Sequence, residues 1–281
     1  MSLRDKIKEQ IKDLQATLTE LDTLEGKTYE IEPAGSLVAR VKSKPVLPKY
    51  STGIFWLDDN LKGGFKEGSF INIAGQSFSG KSTLVLQILS NIASFNKCLF
   101  FSFEMYENLL ADKLHYLNDN QKTNLLIEQY RNDIDEVVAL IKLYASKGVK
   151  FIAIDSKMKI KVSGGKEDHQ KASLVSSTLA KLCQETGVII MLINQISEAD
   201  LKDGRFSLKG SGDQMYDSDV VFFITVKEDE KNNNATTRTL FCTKDRINGK
   251  KWKHIMPEIS HNHNVEERIY DDKKLEMVMI K

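Results

Sequence analysis

Gly75-Gln76-Ser77-Phe78-Ser79-Gly80-Lys81-Ser82 spells GxxxxGK followed by serine, between the apolar run Phe70-Ile71-Asn72-Ile73-Ala74 and a stretch of helical periodicity that begins near Lys81. A strand, a glycine-bearing loop and a helix in that order make a phosphate-binding loop. Glycine lets the backbone curl so that successive N–H groups face one anion, and the positive end of the following helix faces the same point. Lys81 would reach the β- and γ-phosphates of a nucleoside triphosphate, and the Ser82 hydroxyl would ligate Mg²⁺. Residues 75 to 82, together with Thr83, form the expected cofactor-binding set, with ATP and Mg²⁺ as the expected cofactors.

The alternation continues outward. Apolar runs at 98–103, 151–154, 188–193, 220–226 and 239–243 predict strands, and periodic stretches at 81–95, 107–116, 134–146 and 169–186 predict helices. Continuously apolar strands separated by helices predict an α/β fold with a twisted, mostly parallel sheet flanked by helices. The later strands, joined by short links, are expected to extend it in antiparallel fashion. Leu3, Ile7, Ile11, Leu14, Leu18 and Leu21 recur at three- and four-residue steps, the pattern of an amphipathic helix. From Gly26 to Tyr50 the periodicity fades and Pro33, Pro45 and Pro48 enter, which predicts an extended connector. The expected organisation is an N-terminal amphipathic, linker-like helix at 1–25, a connector at 26–50, an ATPase domain at 51–257 and a polar tail at 258–281.

Composition narrows the classes. With 281 residues, 41% hydrophobic and 28% charged, the chain can bury one large core plus a small appendage. Forty basic against thirty-nine acidic residues give a formal charge of +1, so nucleic-acid binding would have to come from local basic loops. No apolar run approaches the roughly 18 residues that span a bilayer, and the N-terminus carries no signal-peptide core. The expected location is the cytoplasm, with no membrane contact. Cys98, Cys183 and Cys242 show no paired spacing and read as buried thiols in a reducing compartment.

Hydrolysis needs a metal anchor, a group that takes the water's proton, and cations for the charge that develops on the γ-phosphoryl. Asp155 ends the run Phe151-Ile152-Ala153-Ile154, which predicts a carboxylate at the carboxyl edge of a central strand and a second metal ligand beside Ser82. Glu104 follows another apolar run, and no acidic residue directly follows Asp155, so Glu104 is the expected base. Gln195 closes the run 188–194 and is the expected γ-phosphate sensor. Lys244 and Arg246, at i and i+2 before a turn at Asn248-Gly249, project to one side of an extended segment. Their spacing leaves open whether they serve their own site, a neighbour's, or an ordinary solvated hairpin. Two long polar loops, 157–170 and 197–213, are rich in lysine and glycine and read as functional. His261 and His263 form an HxH pair with no partnering cluster, so no metal site is assigned to them.

These residues resemble the RecA-like ATPase core, and most closely the C-terminal motor domain of DnaB-type replicative helicases. The likeness runs over residues 51–256, from Ser51-Thr52-Gly53-Ile54-Phe55-Trp56-Leu57-Asp58 and Gly63-Gly64 through Ser102-Phe103-Glu104-Met105 and Asn194-Gln195 to Lys244-Asp245-Arg246-Ile247-Asn248-Gly249. The resemblance implies an ATP-dependent, Mg²⁺-dependent DNA helicase of DNA replication. Its subunits would form a homo-oligomer, a hexameric ring around single-stranded DNA with ATP between subunits. It also implies that Lys244 and Arg246 complete the adjacent subunit's site, and that Lys209-Gly210-Ser211-Gly212, with Arg205, grips the DNA backbone. The helix at residues 2–24 would correspond to the family's linker helix. The family's N-terminal helical domain is not matched, so no primase or loader contact is assigned. Ser156-Lys157-Met158-Lys159-Ile160 differs from the DnaB-type Tyr-Leu-Gln stretch and is nearer to RecA and RadA in its Asp-Ser pair, while zinc-ribbon cysteines of the RadA kind are not seen ahead of the core. A small phage- or plasmid-like helicase is the expectation. A RecA- or RadA-type recombinase forming filaments on single-stranded DNA, and a nucleotide-switched oligomeric scaffold that acts without DNA, are the alternatives.

Overall fold

Residues 3–24, 33–43, 45–163, 168–196, 208, 213–229 and 235–257 are described in a computed structural model of the chain. The chain divides into two compact units, Met1–Val46 and Leu47–Lys281. The first holds α1 (Leu3–Leu24) and α2 (Ala34–Lys42). The second helix lies where an extended connector is expected. Pro33 stands just ahead of its first turn and its carbonyl accepts from the amides of Ser36 (3.0 Å) and Leu37 (3.1 Å). Proline costs a helix little at that position, and Pro45 and Pro48 fall beyond its end, so the prolines bracket nine helical residues instead of excluding them.

The second unit runs in the order β1 (Lys49–Tyr50), α3 (Phe55–Asn60), β2 (Phe65–Lys66), β3 (Phe70–Gly75), α4 (Lys81–Ile92), β4 (Cys98–Ser102), α5 (Glu107–Leu114), α6 (Asp119–Asn124), β5 (Leu125–Glu128), α7 (Ile134–Ser146), β6 (Phe151–Asp155), a 3₁₀ turn (Lys157–Lys159), α8 (Asp168–Thr186), β7 (Ile189–Gln195), a short helix (Asp213–Asp217), β8 (Val220–Asp229), β9 (Ala235–Asp245) and β10 (Trp252–Ile255). Among the described residues eight strands form one sheet in the order β10-β9-β8-β3-β7-β6-β4-β5, and β1 pairs with β2 apart from it. Strands β3 to β8 are parallel to one another. The antiparallel pairings of this sheet are β8 with β9 and β9 with β10, so the expectation for the later strands holds for β9, while β8 joins β3 in parallel.

Every residue of β3, β4 and β6 is buried. Ile71, Ile73, Phe100, Ala153 and Met191 belong to one core cluster, with Val85, Ile88 and Leu89 of α4. Phe70, Leu99, Ile152, Ile190 and Leu192 belong to a second, with Val137 and Ile141 of α7 and Val175 and Leu179 of α8. A sheet covered on both faces has no polar alternation, which is why these strands read as continuous apolar runs. The sequence missed β5, four residues long at one edge, and β10, an edge strand whose residues alternate half-buried and exposed and include Lys253.

The entry segment has a structural explanation. The Asp58 carboxylate accepts from the Ser51 hydroxyl (2.5 Å), the Thr52 amide (2.8 Å) and the Thr52 hydroxyl (2.8 Å), which ties the chain to α3. Gly64 has φ +105°, and a Cβ there would stand 1.9 Å from the Tyr50 carbonyl oxygen, so only glycine fits. No helix among the described residues is long and apolar enough to cross a membrane.

Candidate active site

The parallel strands end together at their carboxyl edge. Gly75 is opposite Gln195, and Ser102 is opposite Asp155. Gly75 begins the loop; a Cβ on it would stand 2.6 Å from Ser79 Oγ and 2.7 Å from the Ile224 carbonyl oxygen. Gly80, at φ +97°, caps α4, and Phe78, at φ +61°, is almost fully exposed. The Ser79 hydroxyl is buried without a hydrogen-bond partner. A curled loop with an orphaned hydroxyl, at the amino end of a twelve-residue helix, is a cradle for an anion.

Lys81, Asp155 and Glu104 converge on this cradle. Lys81 Nζ donates to the carbonyls of Gly75 (3.1 Å) and Gln76 (2.6 Å). Burial pulls its pKa below the usual lysine value, against the pull of Asp155 and Glu104. The Ser82 hydroxyl donates to Asp155 Oδ2 at 2.5 Å, and the Ser156 hydroxyl donates to Glu104 Oε1. Asp155 is buried, whereas Glu104 is exposed. A hydroxyl beside a buried carboxylate is an oxygen donor pair suited to Mg²⁺. A narrow, largely apolar pocket lies beside the first turn of α4, lined by Ile54, Trp56, Thr83, Leu84, Gln87 and Met256.

Burial raises the Asp155 pKa from 3.8 to about 6; Glu104 pushes the same way, while the Ser82 hydroxyl and Lys81 oppose it. The folded state therefore holds the proton more tightly than the unfolded chain, and folding is penalised as the carboxyl ionises. The penalty is absent below pH 3.8, grows up to about pH 6 and is constant above it. Asp155→Asn should stabilise the nucleotide-free, metal-free protein by on the order of 2 kcal/mol at pH 8, and by less at pH 5. Urea unfolding with a chelator at both pH values checks this; an Asn variant that is less stable at pH 8 would remove the electrostatic account.

Lys244 and Arg246 stand elsewhere. Gly75 is opposite Ile224 on β8, but Asp245 is opposite Val220, four residues or about 13 Å back along the strand. The pair is thus at the amino edge of the parallel strands, away from its own phosphate loop. Lys244 Nζ donates to the carbonyls of Met215 (2.5 Å) and Tyr216 (2.9 Å). Arg246 Nη2 donates to the Tyr216 carbonyl (2.8 Å), and Nη1 lies 3.4 Å from Asp219 Oδ1. Both cations converge on one spot at the end of the Asp213–Asp217 helix.

A family model described as an AAA domain matches residues 54–200, just over half of the chain. The chain belongs to the AAA domain family. Its fold is RecA-like, and it is an NTP-binding P-loop protein of the NTP hydrolase class. The DNA repair protein RadA of Rickettsia bellii (strain RML369-C) is 31% identical over 212 residues, covering 72% of this chain and 43% of RadA. A probable replicative DNA helicase of Trieres chinensis is 26% identical over 244 residues, covering 72% of this chain and 52% of that protein. A solved DnaB-like replicative helicase, described with its interactions with primase, superposes with a TM-score of 0.68 at 17% identity, covering 92% of this chain and 73% of that one. The chain spans less than half of the length of the RadA proteins it matches.

The structure brings residues 75 to 83, Glu104, Asp155 and Gln195 to one edge of the sheet, and Lys244 with Arg246, beyond the matched residues 54–200, to the other. Arg205, Lys209, Gly210, Ser211 and Gly212 lie outside the described residues, as do His261 and His263. Leu208 is described; it is buried and bridges Ile196, directly after Gln195. The loop at 157–170 is not basic and solvated from its start: Lys157 opens a 3₁₀ turn and is buried, and burial pulls its pKa down to about 8. Sequence reasoning missed Ser156 as the partner of Glu104. It also missed Asn72, whose polar side chain inside an apolar run was a visible signal.

Proposed function

We propose that the AAA domain is an ATP-driven, Mg²⁺-dependent motor of the DnaB-like class that assembles as a ring and translocates on single-stranded DNA. One observation supports this most. A single chain carries the phosphate cradle and carboxylates at one edge of its sheet and a pair of converged cations at the other, as a site completed between copies would require. Lys81 and the amides of 76 to 80 would bind the phosphates, and Ser82 and Asp155 would hold the metal. Magnesium, when bound, would draw charge from the γ-phosphoryl. Glu104, oriented by Ser156, would take the proton of the attacking water, Gln195 would sense the γ-phosphate, and Arg246 with Lys244 would face the developing charge of a neighbour's nucleotide. The loop that carries Arg205 and Lys209 to Gly212 would contact the DNA backbone.

Single-stranded DNA should stimulate ATP hydrolysis, and the stimulation should weaken steeply as salt rises, because phosphate contacts release counterions. Lys81→Ala should abolish both basal and stimulated turnover. Salt-resistant or absent stimulation would favour the scaffold reading. The likeness to RadA and the Asp155-Ser156 pair favour a second reading, a recombinase that forms a filament. Electron microscopy with ATP and single-stranded DNA separates them: closed rings support the motor, helical filaments the recombinase.

A further inference from the structure

Asn72 stands in the middle of β3, wholly buried, opposite Leu192 on β7 and Val221 on β8. Aliphatic neighbours would suit an aliphatic residue, and an amide persists there only where its polar atoms are bonded. They are bonded on both sides. Asn194 Nδ2 donates to Asn72 Oδ1, and Asn72 Nδ2 donates to Ser218 Oγ. Asn194 and Ser218 are themselves wholly buried. Asn194 adjoins Gln195, which is opposite Gly75 at the carboxyl edge. Ser218 adjoins Asp219 at the amino edge. There Asp219 Oδ2 accepts from the Phe70 amide (3.0 Å), its carbonyl accepts from the Arg246 amide (2.8 Å), and its Oδ1 lies 3.4 Å from Arg246 Nη1.

An unbroken line of hydrogen bonds and single peptide steps therefore joins Gln195 to Arg246 through the sheet. In a dry interior such bonds are directional and costly to break. Asn194 Oδ1 is buried without a partner, so this amide is held at one end only, next to the residue that would meet the γ-phosphate. We infer that Asn72 is a positioning residue: with Asn194 and Ser218 it ties the setting of Gln195 at a subunit's own nucleotide to the setting of Arg246, the cation that subunit presents to its neighbour. The inference rests on the proposed roles of Gln195 and Arg246.

Asn72→Leu and Ser218→Ala test it in the full chain with ATP, Mg²⁺ and single-stranded DNA. Asn72→Leu should keep the Kd for ADP, measured by calorimetry, within about twofold and lower kcat about tenfold. Combined with Arg246→Ala it should be no slower than Arg246→Ala alone, because a defect that acts through Arg246 has nothing left to misplace. A kcat within twofold of wild type, or a loss that multiplies with that of Arg246→Ala, overturns the inference. If Asn72→Leu does not fold, Ser218→Ala decides by the same two comparisons, since it removes only one hydroxyl. Failure of the underlying reading is seen separately, in a wild-type protein without turnover or in an Arg246→Ala variant with full turnover.

Discussion

Arg246→Ala should lower ATP turnover by about three orders of magnitude, the range of a cation that stabilises phosphoryl transfer from a neighbouring chain. ADP affinity should change little, because Arg246 directly follows Asp245, whose partner Val220 is about 13 Å along β8 from the residue opposite Gly75. Folding stability should also change little. The ion pair with Asp219 is 3.4 Å long and the arginine side chain is 54% exposed, a setting in which such pairs contribute about 1 kcal/mol or less. A large kinetic loss with small binding and stability losses is the signature of a group that acts in the transition state. Mixing is the decisive measurement. Arg246→Ala subunits keep an intact phosphate loop and Lys81→Ala subunits keep an intact arginine, so mixed assemblies should recover activity at interfaces that join the two intact halves. No recovery at any mixing ratio would end the claim that the arginine works in trans.

Glu104→Gln is expected to lower turnover by about 10² to 10⁴, the contribution of a positioned proton acceptor. The substitution is nearly isosteric, and a glutamine oxygen can still accept from the Ser156 hydroxyl, so the loop should keep its place. Glu104 also raises the Asp155 pKa, so removing its charge eases ionisation of the metal-binding carboxyl. Nucleotide affinity in Mg²⁺ should therefore be unchanged or tighter while hydrolysis is lost, and ATP should remain trapped. Filter binding with labelled ATP alongside single-turnover kinetics measures both. Wild-type turnover in this variant would leave the proton acceptor unassigned.

The carboxyl-edge half of the site was legible because its signals are local. Residues 70 to 83 announce strand, loop and helix in one stretch, and Asp155, Glu104 and Gln195 each end an apolar run, so each lands at the same edge once the strands are parallel. The position of Lys244 and Arg246 was not legible. It depends on β8 joining β3 in parallel and β9 returning antiparallel, a pairing between strands far apart in sequence. Asn72, Ser218 and Asp219 were missed for the same reason: three polar residues look incidental until the sheet order sets them side by side. The helix Ala34–Lys42 was hidden by reading prolines as breakers when they stood outside its ends.

The opposed edges of the sheet constrain how copies can associate. If the cradle of one copy is completed by the cations of the next, the same contact repeats heterologously from copy to copy. Such contacts put a donor edge against an acceptor edge. Any open chain built this way ends in one cradle without a donor and one donor without a cradle, and only closure of the chain on itself leaves no site idle.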